Sequence, residues 1–216
     1  MTPPGPEGFE QPTTAGSESE NAPPAGRRFP QVDRAIVEGV RRADPEAMGA
    51  FFDAYFDRIF GLAYRLLGNR TLAEDATQEA CYRIQRGAHR LDPERDPAPW
   101  VLATTVNTCR SVQRSAEHRR SRVTSSIEEL QEESAAMAEP SRGPEELLLA
   151  REREALVHRA LQKLDHGLRE VVTLHEYQGL DHKEIASVLG LSHEAVRKRF
   201  SRALAELGHL LHGVNE

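Results

Sequence analysis

The stretch LDHKEIASVLGLSHEAVRKRF, residues 180–200, contains two short amphipathic segments on either side of a Gly-Leu-Ser turn. Asp181 is suited to cap the start of the first segment, Gly190 to end it, and Ser192 to cap the next one. Apolar residues at helical spacing predict that one face of the second segment packs on its own domain. The stretch therefore predicts a helix-turn-helix.

The second helix of this motif has a polar face that is rich in positive charge. A recognition helix needs such a division, because its apolar face docks on the domain while its polar N-terminal half enters the major groove. Arg and Lys read guanine or hold phosphate, and Ser and His serve either role. An ordinary helical hairpin with a solvated charged face has the same pattern. The candidate DNA-binding residues, here called the recognition set, are His193, Glu194, Arg197, Lys198, Ser201 and Arg202.

The overall charge at first argues against DNA binding, because the 216 residues carry a formal net charge of −6. The charge is unevenly distributed, however. Residues 123–148 contain seven Glu and one Arg, whereas residues 149–216 contain ten acidic and ten basic side chains. Residues 30–122 contain 15 Arg against 13 acidic side chains. The acidity thus lies in one segment, and the regions on either side of it remain candidates for contact with DNA.

Composition also excludes several other classes of protein. No apolar run approaches the length of a membrane span, and the N-terminus lacks the basic start and apolar core of a secretory signal. Cys81 and Cys109 are the only cysteines, without metal-ligand spacing, which favours a reducing cytoplasm. No Gly-rich phosphate loop or catalytic grouping accompanies them. We therefore expect no enzymatic activity, no metal and no cofactor.

The distribution of apolar residues indicates how the chain is divided. Residues 1–29 are rich in Pro, Gly, Ser and Thr, which predicts a disordered tail. Residues 30–122 and 149–212 have helical periodicity, and no segment has the alternation of a β-strand. Residues 123–148 have the composition of a linker. We therefore predict an all-α fold of two helical domains joined by a flexible acidic linker.

Local signals place the helix boundaries in the first domain. Asp44 followed by Pro begins a helix, and Gly68 ends it. Thr71 and Glu74 have capping-box spacing, so the next helix is expected to start at Thr71. After a proline-rich loop, a further helix is expected to start near Trp100.

The motifs EDATQEA at residues 74–80, PWVL at residues 99–102 and Asn107 resemble conserved region 2 of bacterial sigma factors. The sequence LREVVTLHEYQGLDHKEIASVLGLSHEAVRKRFSRAL, residues 168–204, resembles their region 4. Both regions in this order, with a short linker and no region 3 domain, resemble the extracytoplasmic-function (ECF) group of the sigma-70 family. The resemblance covers residues 30–212 and leaves out the tail.

The resemblance implies a cytoplasmic initiation factor that binds core RNA polymerase and promoter DNA. It implies that region 2 binds the β′ clamp helices and the −10 element, and that region 4 binds the −35 element and the β flap. The residues implied for the clamp, here called the clamp set, are Glu74, Asp75, Gln78, Glu79 and Tyr82. Those implied for −10 DNA, the −10 set, are Asn107, Arg110, Arg114, Arg119 and Arg120.

The chain also departs from the family pattern, and alternatives stay open. Val106 and Ser111 stand where the family often has Arg and Asp, so the individual −10 contacts are less well defined than the domain. The acidic linker is either a solvated spacer or a mimic of nucleic acid inside the polymerase cleft. An anti-sigma factor is a further expected partner. The competing function is a stand-alone LuxR-type regulator that uses only the C-terminal helix-turn-helix.

Overall fold

A computed structural model describes residues 31–122 and 144–212, and within these ranges the chain is all-α. The predicted tail, residues 1–29, and residues 123–143 of the predicted linker lie outside the described part. The helices are α1 (Arg34–Arg41), α2 (Pro45–Leu67), α3 (Arg70–Gly87), α4 (Ala98–Arg122), α5 (Pro144–Lys163), α6 (His166–Glu176), α7 (His182–Leu189) and α8 (His193–His212), with a short 3-10 helix, Ala88–Arg90, after α3. The prediction of two helical domains is confirmed: α1–α4 form the first lobe and α5–α8 the second. The last five residues of the predicted linker, 144–148, belong to α5.

Helix α2 is the centre of the first lobe because its apolar stripe is wide enough to face several neighbours. Phe51, Tyr55 and Leu62 are fully buried between α1, α3 and α4. Burial of each large side chain contributes about 1.5–3 kcal/mol, so this stripe is a main source of stability for the lobe. Asp44 caps the helix and Gly68 ends it in a left-handed conformation with φ 68°, both as predicted.

The start of α3 differs from the prediction. Asn69, and not Thr71, is the N-cap: its side-chain oxygen accepts a hydrogen bond of 2.9 Å from the Leu72 N–H. The left-handed Gly68 is followed by an extended Asn69, whose side chain can reach the first free N–H groups of α3. The helix therefore starts at Arg70, and Glu74 pairs with Arg70 at 2.9 Å instead of closing a capping box.

The proline-rich loop leads into α4 two residues earlier than expected, at Ala98. The Ala98 N–H donates to the Asp96 side chain at 2.9 Å, which orders the turn before the helix. Trp100 is half-buried and packs against the core. A Cβ added to Gly87 would lie only 2.8 Å from the indole ring of Trp100. The absence of a side chain at Gly87 thus lets the end of α3 approach Trp100 closely.

The two lobes pack directly against each other, which the sequence did not predict. Helix α4 lies against α7, and α2 lies against α5 and α6. Val188 and Leu189 of α7 belong to the same buried apolar cluster as Val101 and Leu102 of α4. A separate, smaller cluster around Leu161 and its neighbours lies within the second lobe. The described part of the chain is therefore in a closed arrangement, with one core running through both lobes.

Polar and aromatic contacts reinforce this arrangement next to the shared core. The ring of Tyr64 stacks on His158 with centroids 4.6 Å apart, and the Arg65 guanidinium lies 4.1 Å from the centre of the Tyr177 ring. The Gln162 side chain donates to the Arg65 carbonyl oxygen at 2.8 Å. The end of α2 is thus held by three side chains of the second lobe.

Candidate nucleic-acid and polymerase interfaces

Capping interactions fix the turn of the helix-turn-helix. The Asp181 carboxylate accepts from the Lys183 and Glu184 N–H groups at 2.7 and 2.8 Å, while the Glu184 side chain accepts from the Asp181 N–H. Gly190 ends α7 with φ 67°, a conformation that a residue with a Cβ adopts at a cost. The Ser192 hydroxyl accepts from the Ala195 N–H at 3.2 Å. The three predicted capping and turn positions are confirmed.

Helix α8 presents most of the recognition set to solvent. Val196 and Ala203 are buried and hold the opposite face against the domain. The Lys198 ammonium lies 2.7 Å from the Glu194 carboxylate, whereas Arg202 and Glu206 are 4.0 Å apart. The exposed members of the set are Glu194, Arg197, Lys198, Ser201 and Arg202. This face offers fixed positive charge on a rigid helix, as groove binding requires.

His193 differs from the rest of the recognition set because its ring turns toward the domain interior. Its Nε2 atom is buried without a hydrogen-bond partner, and its ring centroid lies 6.1 Å from that of His182. The His182 ring in turn lies 5.4 Å from that of His175, and Phe200 packs on both of these rings. The second lobe thus contains a cluster of three histidine rings, the histidine cluster, between α6, α7 and α8.

The surroundings of His182 favour its neutral form. Burial lowers the pKa of His182, and His175, His193 and Arg197 lower it further, against a smaller opposing effect of Asp181. Both ring nitrogens of His182 lack partners, and the residue is the first of α7, where the helix dipole disfavours a cation. The Glu176 carboxylate accepts from the His175 ring at 3.0 Å, whereas the His182 ring has no such partner. Protonation of His182 therefore opposes folding.

We expect the stability of the protein to fall with acidification, in part through His182. Because the pKa of His182 is lower in the folded than in the unfolded chain, its contribution is complete above the unfolded value of about 6.5 and is lost as the pH falls below it. In urea titrations at pH 7.5 and 5.5, His182→Gln should show a smaller drop in unfolding midpoint than the wild type. Some drop should persist, since burial also lowers the pKa of His166. An equal drop in both proteins would contradict this role of His182.

Three members of the −10 set lie along one side of α4. Asn107, Arg110 and Arg114 follow at i, i+3 and i+7, a spacing that aligns them on the helix. Asn107 and Arg114 are exposed, whereas Arg110 is half-buried because it contacts the second lobe. Its Nε and Nη2 atoms donate to the two carboxylate oxygens of Glu170, both at 2.6 Å. Arg119 and Arg120 lie in the last turn of α4, and their side chains are outside the described part.

The clamp set forms a mixed acidic and aromatic surface on α3. Glu74, Asp75, Gln78 and Tyr82 are exposed and Glu79 is half-buried, while Ala76 and Ala80 face the core. Glu79 pairs with Arg83 at 2.6 Å, and the Tyr82 hydroxyl accepts from Arg86 at 3.3 Å. Tyr82 is one of the large apolar side chains that stay open to solvent, 54% exposed. The surface combines exposed negative charge with an aromatic anchor, which suits a basic partner helix.

Phe56 on α2 was not predicted as a candidate, although it is a large apolar side chain that is 48% exposed. In the sequence it belongs to the same aromatic-rich stretch as the buried Phe51 and Tyr55, so the sequence does not indicate that it is exposed. Only its place on the outer side of α2 distinguishes it from core residues.

The described residues show no arrangement suited to catalysis at the cysteines. Burial raises the pKa of the Cys109 thiol to about 12, with a further contribution from Glu170, and burial also raises the pKa of Cys81. A thiol is nucleophilic as thiolate, so both shifts disfavour reactivity. Among residues 31–122 and 144–212, no three or more His, Cys, Asp or Glu side chains are placed so that they could hold a metal ion together. None of the helices in these ranges is long and apolar enough to span a membrane.

Comparisons with known proteins match both lobes. The Sigma-70 region 2 model matches residues 51–119, and the Sigma-70, region 4 model matches residues 148–207. The chain is 31% identical to the RNA polymerase sigma-H factor of Pseudomonas aeruginosa over 175 residues, which are 80% of this chain and 90% of that protein. It is 28% identical to the ECF RNA polymerase sigma-E factor of Escherichia coli K12 over 174 residues, which are again 80% of this chain and 90% of that protein.

Solved structures are similar across most of the chain. CnrH, in complex with the cytosolic domain of CnrY, is 27% identical with a TM-score of 0.59, and the match covers 84% of this chain and 97% of that one. The sigma factor RpoE of Bartonella quintana, in complex with the anti-sigma factor NepR, has a TM-score of 0.60 at 19% identity, over 76% and 96% of the two chains. The second similarity concerns the fold alone.

These matches identify the class of protein that the two lobes define. The chain belongs to the sigma-70 family, in its extracytoplasmic-function group. It is a sigma factor, and proteins of this class are non-enzymatic factors of transcription initiation that bind core RNA polymerase and promoter DNA. The match of region 2 together with region 4 decides against the stand-alone LuxR-type regulator, which would account only for the second lobe.

Proposed function

We propose that this sigma factor divides its work among three surfaces: α3 binds the polymerase clamp, α4 binds the −10 element and α8 binds the −35 element. The observation that carries the proposal is the exposed basic face of α8, held rigidly by the buried Val196 and Ala203. Residues 149–216 carry ten acidic and ten basic side chains, so the second lobe as a whole attracts DNA only weakly by itself. Association with polymerase raises the effective concentration of DNA and leaves the choice of sequence to α8.

In the recognition set, the exposed cations are the strongest candidates for base and phosphate contacts. Arg197 lies one turn into α8, where recognition helices contact base edges, and Lys198 and Arg202 are exposed on the same helix. A guanidinium binds guanine through two parallel hydrogen bonds, which an ammonium does not match. His193 supports the turn from within the histidine cluster, so its proposed part in DNA binding is through its backbone position and not its buried Nε2 atom.

Removal of Arg197 should weaken recognition of the −35 element. We expect Arg197→Ala to reduce run-off transcription from a −35-dependent promoter roughly 5- to 100-fold, which corresponds to about 1–3 kcal/mol for one base contact. On a template in which the −35 element is replaced, the variant and the wild type should transcribe equally. Arg153→Ala removes an exposed positive charge from α5 and is the matched control. An equal loss on both templates would contradict direct reading by Arg197.

For the −10 element, α4 supplies a line of polar and basic groups. Capture of flipped bases offsets an unstacking cost of a few kcal/mol, and basic residues hold the separated strand. Asn107 and Arg114 are open to solvent for these roles, and His118 continues the same exposed side. Arg110 becomes available to DNA only when its pair with Glu170 opens.

Further proposed interactions complete the assignment. Region 4 binds the β flap, the acidic segment at residues 123–148 passes through the positively charged polymerase cleft, and an anti-sigma factor regulates the protein. The complex of the Bartonella quintana RpoE with the anti-sigma factor NepR supports the last point by analogy of fold. We place the protein in the cytoplasm, where its polymerase partner works.

The test of the whole assignment is run-off transcription on a library of promoter fragments. Purified core polymerase and this protein together should give specific start sites that neither gives alone. Tight, specific DNA binding by the protein without polymerase, with no start sites on addition of polymerase, would overturn the proposal. Mapping of the 5′ ends of the transcripts on the fragments would also locate the −35 and −10 elements upstream of each start site.

A further inference from the structure

The contact between the lobes contains one charged pair that engages a member of the −10 set. Arg110 of α4 donates two hydrogen bonds of 2.6 Å to the carboxylate of Glu170 on α6. The Glu170 side chain is only 7% exposed, while that of Arg110 is 37% exposed. This bidentate geometry is the one in which a guanidinium also holds a phosphate group.

We propose that the Arg110–Glu170 pair is an autoinhibitory contact, in which a carboxylate of the second lobe occupies the guanidinium that would otherwise hold promoter DNA. This inference rests on the proposed role of Arg110 at the −10 element. The remaining Nη1 atom of Arg110 donates to the Asn107 side chain at 3.4 Å, so a second member of the −10 set is tied to the same group. Phosphate binding by Arg110 and the closed arrangement of the lobes therefore exclude each other.

The burial of Glu170 couples the pair to the position of the lobes. If Arg110 turned toward DNA while the lobes stayed closed, the Glu170 carboxylate would be left buried without its partner, which is strongly unfavourable. Separation of the lobes exposes the carboxylate to water and removes this cost. Release of Arg110 thus requires movement of the second lobe away from α4.

Neighbouring contacts also stabilise the closed arrangement. Arg169, next to Glu170, donates from Nη1 to the Leu66 carbonyl oxygen at 2.7 Å, and Gln162 donates to the Arg65 carbonyl oxygen at 2.8 Å. These bonds join the same two lobes but use residues outside the proposed DNA surfaces. The Arg110–Glu170 pair is the contact through which nucleic acid competes directly with closure.

Binding of single-stranded DNA by the full-length protein tests the inference. The probe is a fluorescein-labelled oligonucleotide of random sequence, about 20 nucleotides long, measured by fluorescence anisotropy at low salt without polymerase. We expect Glu170→Ala to bind roughly tenfold more tightly than the wild type, and Glu170→Gln, which keeps the shape of the side chain, to gain less. The matched control is Glu152→Ala, which removes an exposed negative charge from α5. It should gain less than about twofold.

The double variant Arg110→Ala, Glu170→Ala identifies the group that is released. It should bind no more tightly than the wild type, because the freed guanidinium is absent. A gain in Glu170→Ala no larger than that in Glu152→Ala would overturn the inference, as would an equal gain in the double variant.

Hydrogen exchange and transcription separate this inference from the proposed function. Amides of α4 and α7 should exchange faster in Glu170→Ala than in the wild type, since the facing helices are loosened. Faster exchange without tighter DNA binding would overturn the inhibitory role and leave a purely structural contact. If Arg110→Ala also transcribed like the wild type with core polymerase, the −10 assignment itself would be wrong.

Discussion

Reversal of charge at Asp75 and Glu79 to Lys should abolish most binding to core RNA polymerase while leaving the fold intact. Both side chains lie outside the core, and the main intramolecular interaction lost is the surface pair of Glu79 with Arg83, worth about 1 kcal/mol or less. Against a basic clamp helix, each reversal replaces attraction by repulsion, which together costs several kcal/mol. We expect an affinity loss of at least about thirtyfold, measured by competition with labelled wild-type protein for core polymerase.

A matched control is available on the neighbouring helix. Asp53 and Asp57 are exposed on α2 with the same i, i+4 spacing, so their reversal to Lys changes the net charge by the same amount. This control should retain most of its affinity, and circular dichroism should show that both variants remain folded. If both pairs of substitutions weakened binding equally, the effect would reflect overall charge, and the assignment of the clamp to α3 would fail.

The sequence predicted the features that depend on neighbouring residues. Asp44, Gly68 and Gly190 act where expected because caps and left-handed turns are determined within a few positions. The start of α3 was predicted wrongly because two caps compete there: Asn69 and Thr71 both suit an N-cap. The backbone that follows Gly68 decides in favour of Asn69.

Contacts between distant residues were not predictable in the same way. Arg110 and Glu170 are 60 positions apart, and Arg169 and Leu66 are 103 positions apart. Nothing in the periodicity of either helix indicates such a partner, so Arg110 was interpreted only as a candidate for DNA. The sequence motif EDATQEA did indicate the exposed face of α3, because surface and core positions alternate with the helical repeat.

The histidine cluster illustrates a second limit of sequence reasoning. His175, His182 and His193 lie in three different helices at irregular spacing, and their rings meet only through the fold of the helix-turn-helix. Interpreted singly, His193 belongs to the polar face of α8, and this is how it entered the recognition set. Helical periodicity alone does not show whether the ring of His193 faces solvent or the other two histidines.

Replacement of Arg169 by Met should destabilise the protein more than any surface substitution considered above. Arg169 is 6% exposed and donates five hydrogen bonds. Three go to carbonyl oxygens at the end of α5 and just after it, on Leu161, Gln162 and Leu164, at 2.7–3.0 Å. The Leu161 carbonyl oxygen also accepts from the Leu164 N–H at 3.1 Å. Because the last carbonyls of a helix lack the usual i+4 donors, the guanidinium serves as the C-terminal cap of α5.

The loss of stability on removal of Arg169 follows from the buried carbonyl oxygens that remain without its hydrogen bonds. Burial lowers the pKa of the guanidinium, an effect that Asp165 partly offsets. Arginine side chains nevertheless keep their charge in proteins at neutral pH. Without it, several buried carbonyl oxygens lose a charged donor, including that of Leu66 in the first lobe. We expect the free energy of unfolding to fall by about 3–5 kcal/mol, measured by urea titration followed by circular dichroism.

Two further variants make the argument specific. Arg169→Lys keeps the charge but has a single ammonium in place of the planar fork, so it should recover less than half of the loss. Arg202→Met removes an exposed guanidinium whose nearest carboxylate is 4.0 Å away, and should change stability by less than about 0.5 kcal/mol. Full recovery by Lys would mean that charge alone matters, and the hydrogen-bond cap would be wrong. Partial recovery by Arg169→Lys, in line with the smaller number of carbonyl oxygens that an ammonium can reach, would support the hydrogen-bond cap. It would also show that the junction of α5, α6 and the end of α2 is a main source of stability for the second lobe.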